Sequence, residues 1–219
     1  MGQRLADGSQ ESLFAPSVAN PTLPTATSLA PVAPAIHYRG GLQPYREWRS
    51  RPLPAPTSHS SAILDGLVDI VTEEGPVVTA RAFQLYVRAA DGKKVGSSIR
   101  EALQGAVSLG QRRGVLVSRT ELDGGGPSDA VLRIPGTPDV VRREAGPRGS
   151  IQEIPAAEIG ALMEHLMSGS RPLTGEALYR AVLARYGKVR LTEQTLAHLA
   201  RIDRRYLQNF GRGGPITDS

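Results

Sequence analysis

The chain has 219 residues, a formal net charge of +5 and no cysteine, and 40% of its residues are hydrophobic. The lack of cysteine excludes disulfides, thiol catalysis and thiolate metal sites. No apolar run approaches the roughly 18 residues of a membrane span, and the start of the chain lacks the continuous apolar core of a secretory signal. These features predict a soluble, cytoplasmic protein with no membrane association.

The first part of the chain has the composition of a flexible tail. Nine of the 17 prolines lie before residue 57, and residues 15–34 are uncharged and rich in Pro, Ala, Ser and Thr, without helical or strand periodicity. Such a segment cannot bury enough apolar surface to offset the entropy cost of ordering it. We therefore expect residues 1–57 to be disordered, and also the short C-terminal segment 211–219.

Residues 58–135 have the element order of a winged helix. An amphipathic helix begins near Ser61, and a proline turn and the short extended pair Val77-Val78 follow it. The pattern predicts a second helix, a third helix over residues 95–111, and two strands at 115–117 and 131–134 around a Gly-rich tip. The expected core comprises Ile63, Leu67, Phe83, Tyr86, Ile99, Leu103, Val115 and Val117.

The helical part of this pattern recurs about 95 residues later. Ile159 and Met163 repeat the spacing of Ile63 and Leu67, and the turn Gly187-Lys188 repeats Gly92-Lys93. We therefore expect residues 153–210 to form a second helical unit, either a helical bundle or a wingless winged-helix-like unit, with a connector at residues 136–152. In its third helix, Thr192 is the expected N-cap. The predicted fold is mainly α with a small β-hairpin.

Positive charge is concentrated in two blocks. Residues 88–119 carry seven basic and two acidic residues, and residues 180–219 carry eight and three. The segments before and between these blocks are acidic: residues 57–87 carry one basic and four acidic residues, and residues 120–179 carry five and nine. Segregation of charge by sign indicates a functional surface.

The third helix of the first unit has a polar face opposite its apolar one. If Ile99 marks the buried direction, the opposite arc carries long cations at both ends and small or amide side chains between them. Such a face suits the DNA major groove, because cations neutralise phosphates while Arg and Gln read base edges. The alternative is an ordinary solvated helix face. The candidate residues are Lys93, Lys94, Ser97, Arg100, Gln104 and Arg112.

Further cations lie close to this face or on the last helix. Arg113 follows the third helix, and Arg119 lies at the base of the predicted wing, whose acidic tip fits poorly against phosphates. The last helix of the second unit carries Arg201, Arg204 and Arg205. These three residues are candidates for nucleic-acid contact, or they interact with the helix C-terminus and favour solubility.

No pattern indicates catalysis. The histidines that fall in predicted helices, His165 and His198, have no ligand partner at helical spacing. The carboxylates along the first helix lack a partner base, and no Gly-x-Ser-x-Gly turn is present. We expect no enzyme activity, no metal, no cofactor and no small-molecule substrate.

Three segments, in order, resemble a known family. They are PYREW (residues 44–48), residues 70–107 and residues 151–163, and the shared motifs are Glu74-Gly75-Pro76, Gly92 with Gly96, and Ile154-Pro155 with Glu158-Ile159. They resemble a domain of unknown function at the C-terminus of large bacterial proteins that also carry a superfamily-one helicase and a restriction-endonuclease-like nuclease. The resemblance implies a winged-helix-like, DNA-facing accessory module in defence or repair. Because this chain lacks helicase motifs and a nuclease core, no catalytic residue is carried over.

The leading hypothesis is a module that binds nucleic acid, with double-stranded DNA as the expected ligand, in a bacterial helicase–nuclease system. The alternative is a protein-interaction adaptor that docks a helicase or nuclease partner, which the modest net charge and the acidic wing tip favour. A third hypothesis is a transcription regulator, for which the sequence has no evident effector pocket or long dimerisation helix.

Overall fold

The computed structural model describes residues 42–169 and 171–207. The predicted disorder of residues 1–41 and 211–219 therefore concerns residues outside the described part. Among the described residues, no helix has both the length and the apolar character needed to cross a membrane.

The first helical unit has three helices and a three-stranded antiparallel sheet. Strand β3 lies in the middle, between β1 and β2, and Val78 pairs with Val131 while Ser118 pairs with Leu132. The elements are α1 (Ser60–Glu74), β1 (Val77–Val78), α2 (Thr79–Ala89), α3 (Ser97–Arg112), β2 (Val117–Thr120) and β3 (Ala130–Arg133). This is the predicted winged-helix order, with β1 added to the hairpin. We call the β2–β3 hairpin, residues 117–133, the wing.

The core of this unit contains most of the predicted side chains. Ile63, Leu67, Phe83, Tyr86 and Leu103 are buried in one cluster, and Ile99 lies half-buried at its edge. Helices α1 and α3 pack closely there, since a Cβ on Gly110 would lie 2.7 Å from a methyl group of Leu64.

The predicted burial of Val115 is wrong. Val115 is 39% exposed, whereas Leu116 is buried in the core and Val117 is half-buried. Because all three residues are apolar, they have no alternation from which the inward direction could be read.

The second helical unit consists of α4 (Ala156–Met167), α5 (Gly175–Arg185) and α6 (Glu193–Tyr206). Ile159, Met163, Leu178 and Leu199 are fully or almost fully buried in a second cluster, which Leu122 of the wing joins. Thr192 caps α6 as predicted, because its hydroxyl accepts a hydrogen bond from the Thr195 N–H at 3.2 Å. The wing thus contributes to the core of both units.

Residues 42–57 are packed against the first unit, so the predicted tail is wrong over this part. Trp48 is buried, and its indole N–H donates to the Asp69 carboxylate on α1 at 2.7 Å. The Leu53 N–H donates to the Ala89 carbonyl at 3.1 Å, and the Tyr86 hydroxyl donates to the Pro54 carbonyl at 2.9 Å. Single contacts, rather than a regular helix or strand, hold this segment in place. Its sequence therefore shows no helical or strand periodicity.

The connector at residues 136–152 is partly buried, and its buried side chains include three arginines: Arg142, Arg143 and Arg148. The Arg143 guanidinium donates to the Glu158 carboxylate at 2.9 Å, and Arg148 donates to the same carboxylate at 3.0 Å. Arg143 also donates to the backbone carbonyls of Glu74 and Pro76. The connector thus joins the end of α1 to the start of α4.

A second carboxylate, Glu74, completes this buried cluster. It is fully buried at the end of α1 and accepts from the Arg81 guanidinium at 2.7 Å and from the Tyr45 hydroxyl at 2.6 Å. We call the set the ion network; its members are Tyr45, Glu74, Arg81, Arg143, Arg148 and Glu158. Buried charges are tolerated only when they are paired and hydrogen-bonded, and here each carboxylate has at least one arginine partner.

Tyr45 and two of the three motifs singled out in the sequence meet at the ion network, whereas the third, Gly92 with Gly96, precedes α3. Tyr45 lies in the PYREW segment, Glu74 begins the Glu-Gly-Pro turn, and Glu158 lies in the Ile-Pro-x-x-Glu segment. The Tyr45 ring lies 4.7 Å from the Arg148 guanidinium. Burial and the hydrogen bond to Glu74 raise the pKa of Tyr45 above its ordinary value. These motifs therefore have a structural role: they join the two helical units.

Candidate nucleic-acid interface

Helix α3 presents the predicted polar face to solvent. Its buried side is centred on Leu103, Ala106 and Val107, while Ser97 and Arg100 are exposed on the other side. Gln104 is only half-buried, so part of its amide reaches the surface. We call this surface the α3 face; its residues are Ser97, Arg100, Gln104 and Arg112.

A cleft of about 460 Å³ opens at the N-terminal end of the α3 face. Its lining includes Lys93 and Lys94 from the α2–α3 loop, Arg100 from α3 and Arg88 from the last turn of α2. All four cationic side chains are exposed. We call this feature the basic cleft.

No acidic residue lines the basic cleft. Across residues 42–169 and 171–207, none of its four cations has a carboxylate oxygen within 4.0 Å, although other surface arginines do. Like charges held close together without counterions raise the local positive potential. The cleft is therefore an anion-attracting surface.

The N-terminus of α3 adds to this potential. Its N-cap is Gly96, which has no side chain, and within the described part of the chain no side chain accepts a hydrogen bond from the first backbone N–H groups. The partial positive charge of a helix N-terminus therefore remains uncompensated by a side chain, next to Lys94 and Arg100. A phosphate is the kind of anion that such a terminus attracts.

Two contributors to the cleft were missed from the sequence. Arg88 was counted in the basic block but not assigned to the site, although its position just before the Asp91-Gly92 turn could have indicated it. Ser128 comes from a short 3-10 turn at the wing tip, Pro127–Asp129, which lies against α2. Nothing in the Gly-rich sequence of the tip indicates this docking.

The remaining predicted residues of the first unit lie elsewhere. Arg112 and Arg113 are exposed at the opposite end of α3, about 20 Å along the helix axis from Ser97. Arg119 on β2 is 53% exposed and has the Asp139 carboxylate at 3.9 Å, which partly offsets its charge. Arg112 thus lies at the far end of the α3 face, Arg113 and Arg119 flank this face, and the cleft lining includes none of the three.

The cations of α6 form a separate group. Arg201 donates to the Asp123 carbonyl at 2.6 Å, and Arg205 has the Asp123 carboxylate at 4.0 Å. Arg204 is exposed and lies close to the Ala200 carbonyl of its own helix. Two of the three arginines thus fix the wing to the second unit, and the structure does not bring them together with the α3 face.

A second cavity, of about 300 Å³, lies between the wing and α6. Glu121, Asp129, His198 and Arg201 line it, so it carries both signs of charge. Burial raises the pKa of Glu121 to about 7, although the carboxylate accepts a hydrogen bond from the Ala157 N–H. Burial also lowers the pKa of His198. The mixed charge contrasts with the basic cleft, where every charged residue in the lining is positive.

Within the described ranges, no three His, Cys, Asp or Glu side chains are grouped so that they could hold a metal ion. Comparison with protein-family models, with curated proteins and with solved structures finds no match to this chain.

Proposed function

We propose that the protein binds double-stranded DNA through the α3 face and the basic cleft. The observation that carries the proposal is the convergence of four exposed cations, unpaired among the described residues, at the uncapped N-terminus of α3. Each cation that meets a phosphate releases condensed counterions, which is the main source of affinity for DNA. Helix α3 is of ordinary width, about 10–12 Å, and a B-DNA major groove is about 12 Å wide.

The proposed setting is an accessory module of a bacterial helicase–nuclease system. Its support is the resemblance carried by the Tyr45, Glu74 and Glu158 segments. A module of this kind needs DNA affinity without catalytic groups, and the α3 face and the basic cleft meet that need.

A protein-docking adaptor is the second candidate. The pairing of Arg201 and Arg205 with Asp123 favours it, because these cations are engaged within the chain rather than free for DNA.

If the protein were a transcription regulator, Gln104→Ala would change sequence preference while leaving the salt dependence unaltered, because an amide reads bases and not phosphates.

The test is a titration of labelled duplex DNA at several salt concentrations, with the full chain. Four phosphate contacts predict a slope of roughly −3 to −4 in a plot of log affinity against log salt. In the double variant Lys93→Ala/Lys94→Ala, this slope should flatten by about two units.

The matched control is Arg185→Ala/Arg190→Ala, which removes two exposed cations from the second unit. It should leave the slope close to that of the wild type. If the Lys93/Lys94 variant instead matches the wild type in both affinity and slope, the basic cleft does not bind DNA, and the adaptor becomes the better explanation.

A further inference from the structure

The basic cleft has an apolar floor, which a site for backbone phosphates alone does not require. Phe83 and Val87 are buried at 2% and 1% exposure, and half-buried Ala80 and Val95 complete the apolar lining. The cations Arg88, Lys93, Lys94 and Arg100 are exposed and surround this floor. The cleft thus combines apolar contact at its base with positive charge at its rim.

Two neutral polar side chains complete the lining. Gln84 of α2 is exposed, and Ser128 of the wing-tip turn is half-buried. An amide and a hydroxyl each offer both a hydrogen-bond donor and an acceptor. Groups of this kind can bond the polar edge of a nucleobase without adding charge.

The ligand that matches all three features has an anionic group, a flat body and a polar edge. A nucleotide has this chemistry, and a cleft of about 460 Å³ lies within the range of about 300–1,000 Å³ typical of small-ligand sites. A base inside a duplex is stacked and paired, so it cannot enter a cleft unless it leaves the helix. An unpaired base has no base pair to break, so it can enter the cleft at little or no cost in free energy.

We propose that the basic cleft receives an unpaired nucleotide, so that the protein prefers duplex DNA with a single-stranded extension over blunt duplex. This inference rests on the proposed binding of DNA by the α3 face. The duplex occupies the α3 face, and the first unpaired nucleotide enters the cleft beside Lys93 and Lys94. Its base lies against the apolar lining that half-buried Ala80 and Val95 expose, and its phosphate lies among the rim cations.

The first experiment compares the affinity of the wild-type chain for a blunt duplex and for the same duplex with a 3′ or 5′ extension of about four nucleotides. The affinity should be at least about fivefold higher for one of the extended duplexes, since each accommodated base contributes strongly to binding of single strands.

The second experiment fills the cleft without changing its charge. Ala80→Leu places a larger side chain in the lining, and Ala184→Leu, on the exposed side of α5, is the matched control. The preference for an extension should fall toward onefold in Ala80→Leu and persist in Ala184→Leu. Because Ala80 lines the cleft that also carries proposed duplex contacts, the preference is taken as the ratio of the two affinities within each variant, and thermal melting checks that both variants fold.

A third measurement does not depend on any variant. With 2-aminopurine as the first unpaired base, fluorescence should rise on binding to the wild-type chain, because the base leaves its stack to enter the cleft. The same fluorophore within the paired region should not respond.

The outcomes separate the two proposals. Equal affinity for blunt and extended duplexes, with a salt slope that still depends on Lys93 and Lys94, would overturn the cleft inference and leave DNA binding intact. A preference that persists in folded Ala80→Leu would place the unpaired nucleotide elsewhere. If Ala80→Leu does not fold, an unchanged 2-aminopurine signal in the wild type would overturn the inference. Absence of binding to every duplex would overturn both proposals.

Discussion

The Gly-Lys turn occurs once in each helical unit, and its lysine has a different environment in each. Lys93 is exposed on the rim of the basic cleft. Lys188 is half-buried and donates to the backbone carbonyls of Arg148 and Gly149, at 2.6 and 3.0 Å. The connector covers the second turn and leaves the first one open.

The third helices differ in the same way. The cations beside the start of α3 have no carboxylate partner among the described residues, whereas Arg201 and Arg205 of α6 contact Asp123 of the wing. One repeated pattern thus supports two uses: the Gly-Lys turn and third helix of the first unit present cations to solvent, whereas Lys188, Arg201 and Arg205 of the second unit make internal contacts. Neighbouring segments, rather than the repeat itself, decide which cations are available to a ligand.

The largest expected effect comes from the ion network that joins the units. Glu158→Ala leaves the buried Arg143 and Arg148 without their carboxylate, and it should cost about 3–5 kcal/mol of unfolding free energy. Urea denaturation measures this loss. Glu176→Ala, which breaks an exposed pair with Arg180, is the control and should cost less than about 1 kcal/mol. Similar losses for the two variants would show that the network does not hold the units together.

Truncation of a core leucine should destabilise both units to a similar extent, because Leu103 of α3 and Leu199 of α6 are both fully buried. Each leucine-to-alanine variant should lower the unfolding free energy by about 2–5 kcal/mol through lost contacts and the cavity that remains. Denaturation of both variants checks this equivalence. A loss below about half a kilocalorie in either one would mean that the helix concerned does not pack as described.

The contact between the wing and the second unit should depend on pH. The pKa of Glu121 is raised from 4.5 to about 7 in the folded protein by burial. The stabilisation that comes from the protonated Glu121 carboxyl is fully present below about pH 4.5. It is lost as the pH rises through about 7, and the unfolding free energy then falls by at most about 1.4 kcal/mol per pH unit.

The measurement for this prediction is the unfolding free energy of the wild type minus that of Glu121→Gln, from pH 4 to 8. Subtraction removes the opposite contribution of His198, whose lowered pKa makes the folded state lose stability as the pH falls. A difference that does not change with pH would show that Glu121 titrates as it does in the unfolded chain.

The smallest expected effect on stability comes from the lysines of the two Gly-Lys turns. Lys188→Ala should cost about 1 kcal/mol of stability, because it removes charged hydrogen bonds to two backbone carbonyls at a half-buried position. Lys93→Ala should change stability by less than about 0.5 kcal/mol and act on DNA binding instead. Thermal melting and duplex titration of both variants measure the two effects. If Lys93→Ala lowered stability more than Lys188→Ala, the internal role of Lys188 and the external role of Lys93 would both be contradicted.

Helical periodicity alone predicted the helices of both units and most of their buried side chains. Ile63 and Leu67 on α1, like Ile159 and Met163 on α4, repeat at the spacing of one helix face, and that face is buried whatever it packs against. The charged arc of α3 follows from the same geometry, since its position opposite the apolar stripe is a local property of the helix.

Contacts between segments that are distant in the sequence decided which aperiodic residues are buried and which residues complete the cleft. The sequence around Trp48 and Arg143 has no period, and these residues are buried because their partners, Asp69 and Glu158, lie on helices folded beside them. Likewise, Ser128 joins Lys93 in the cleft only because the wing tip docks on α2. A single residue's polarity does not encode such pairings, because the cost of burying a charge depends on the group that three-dimensional folding brings next to it.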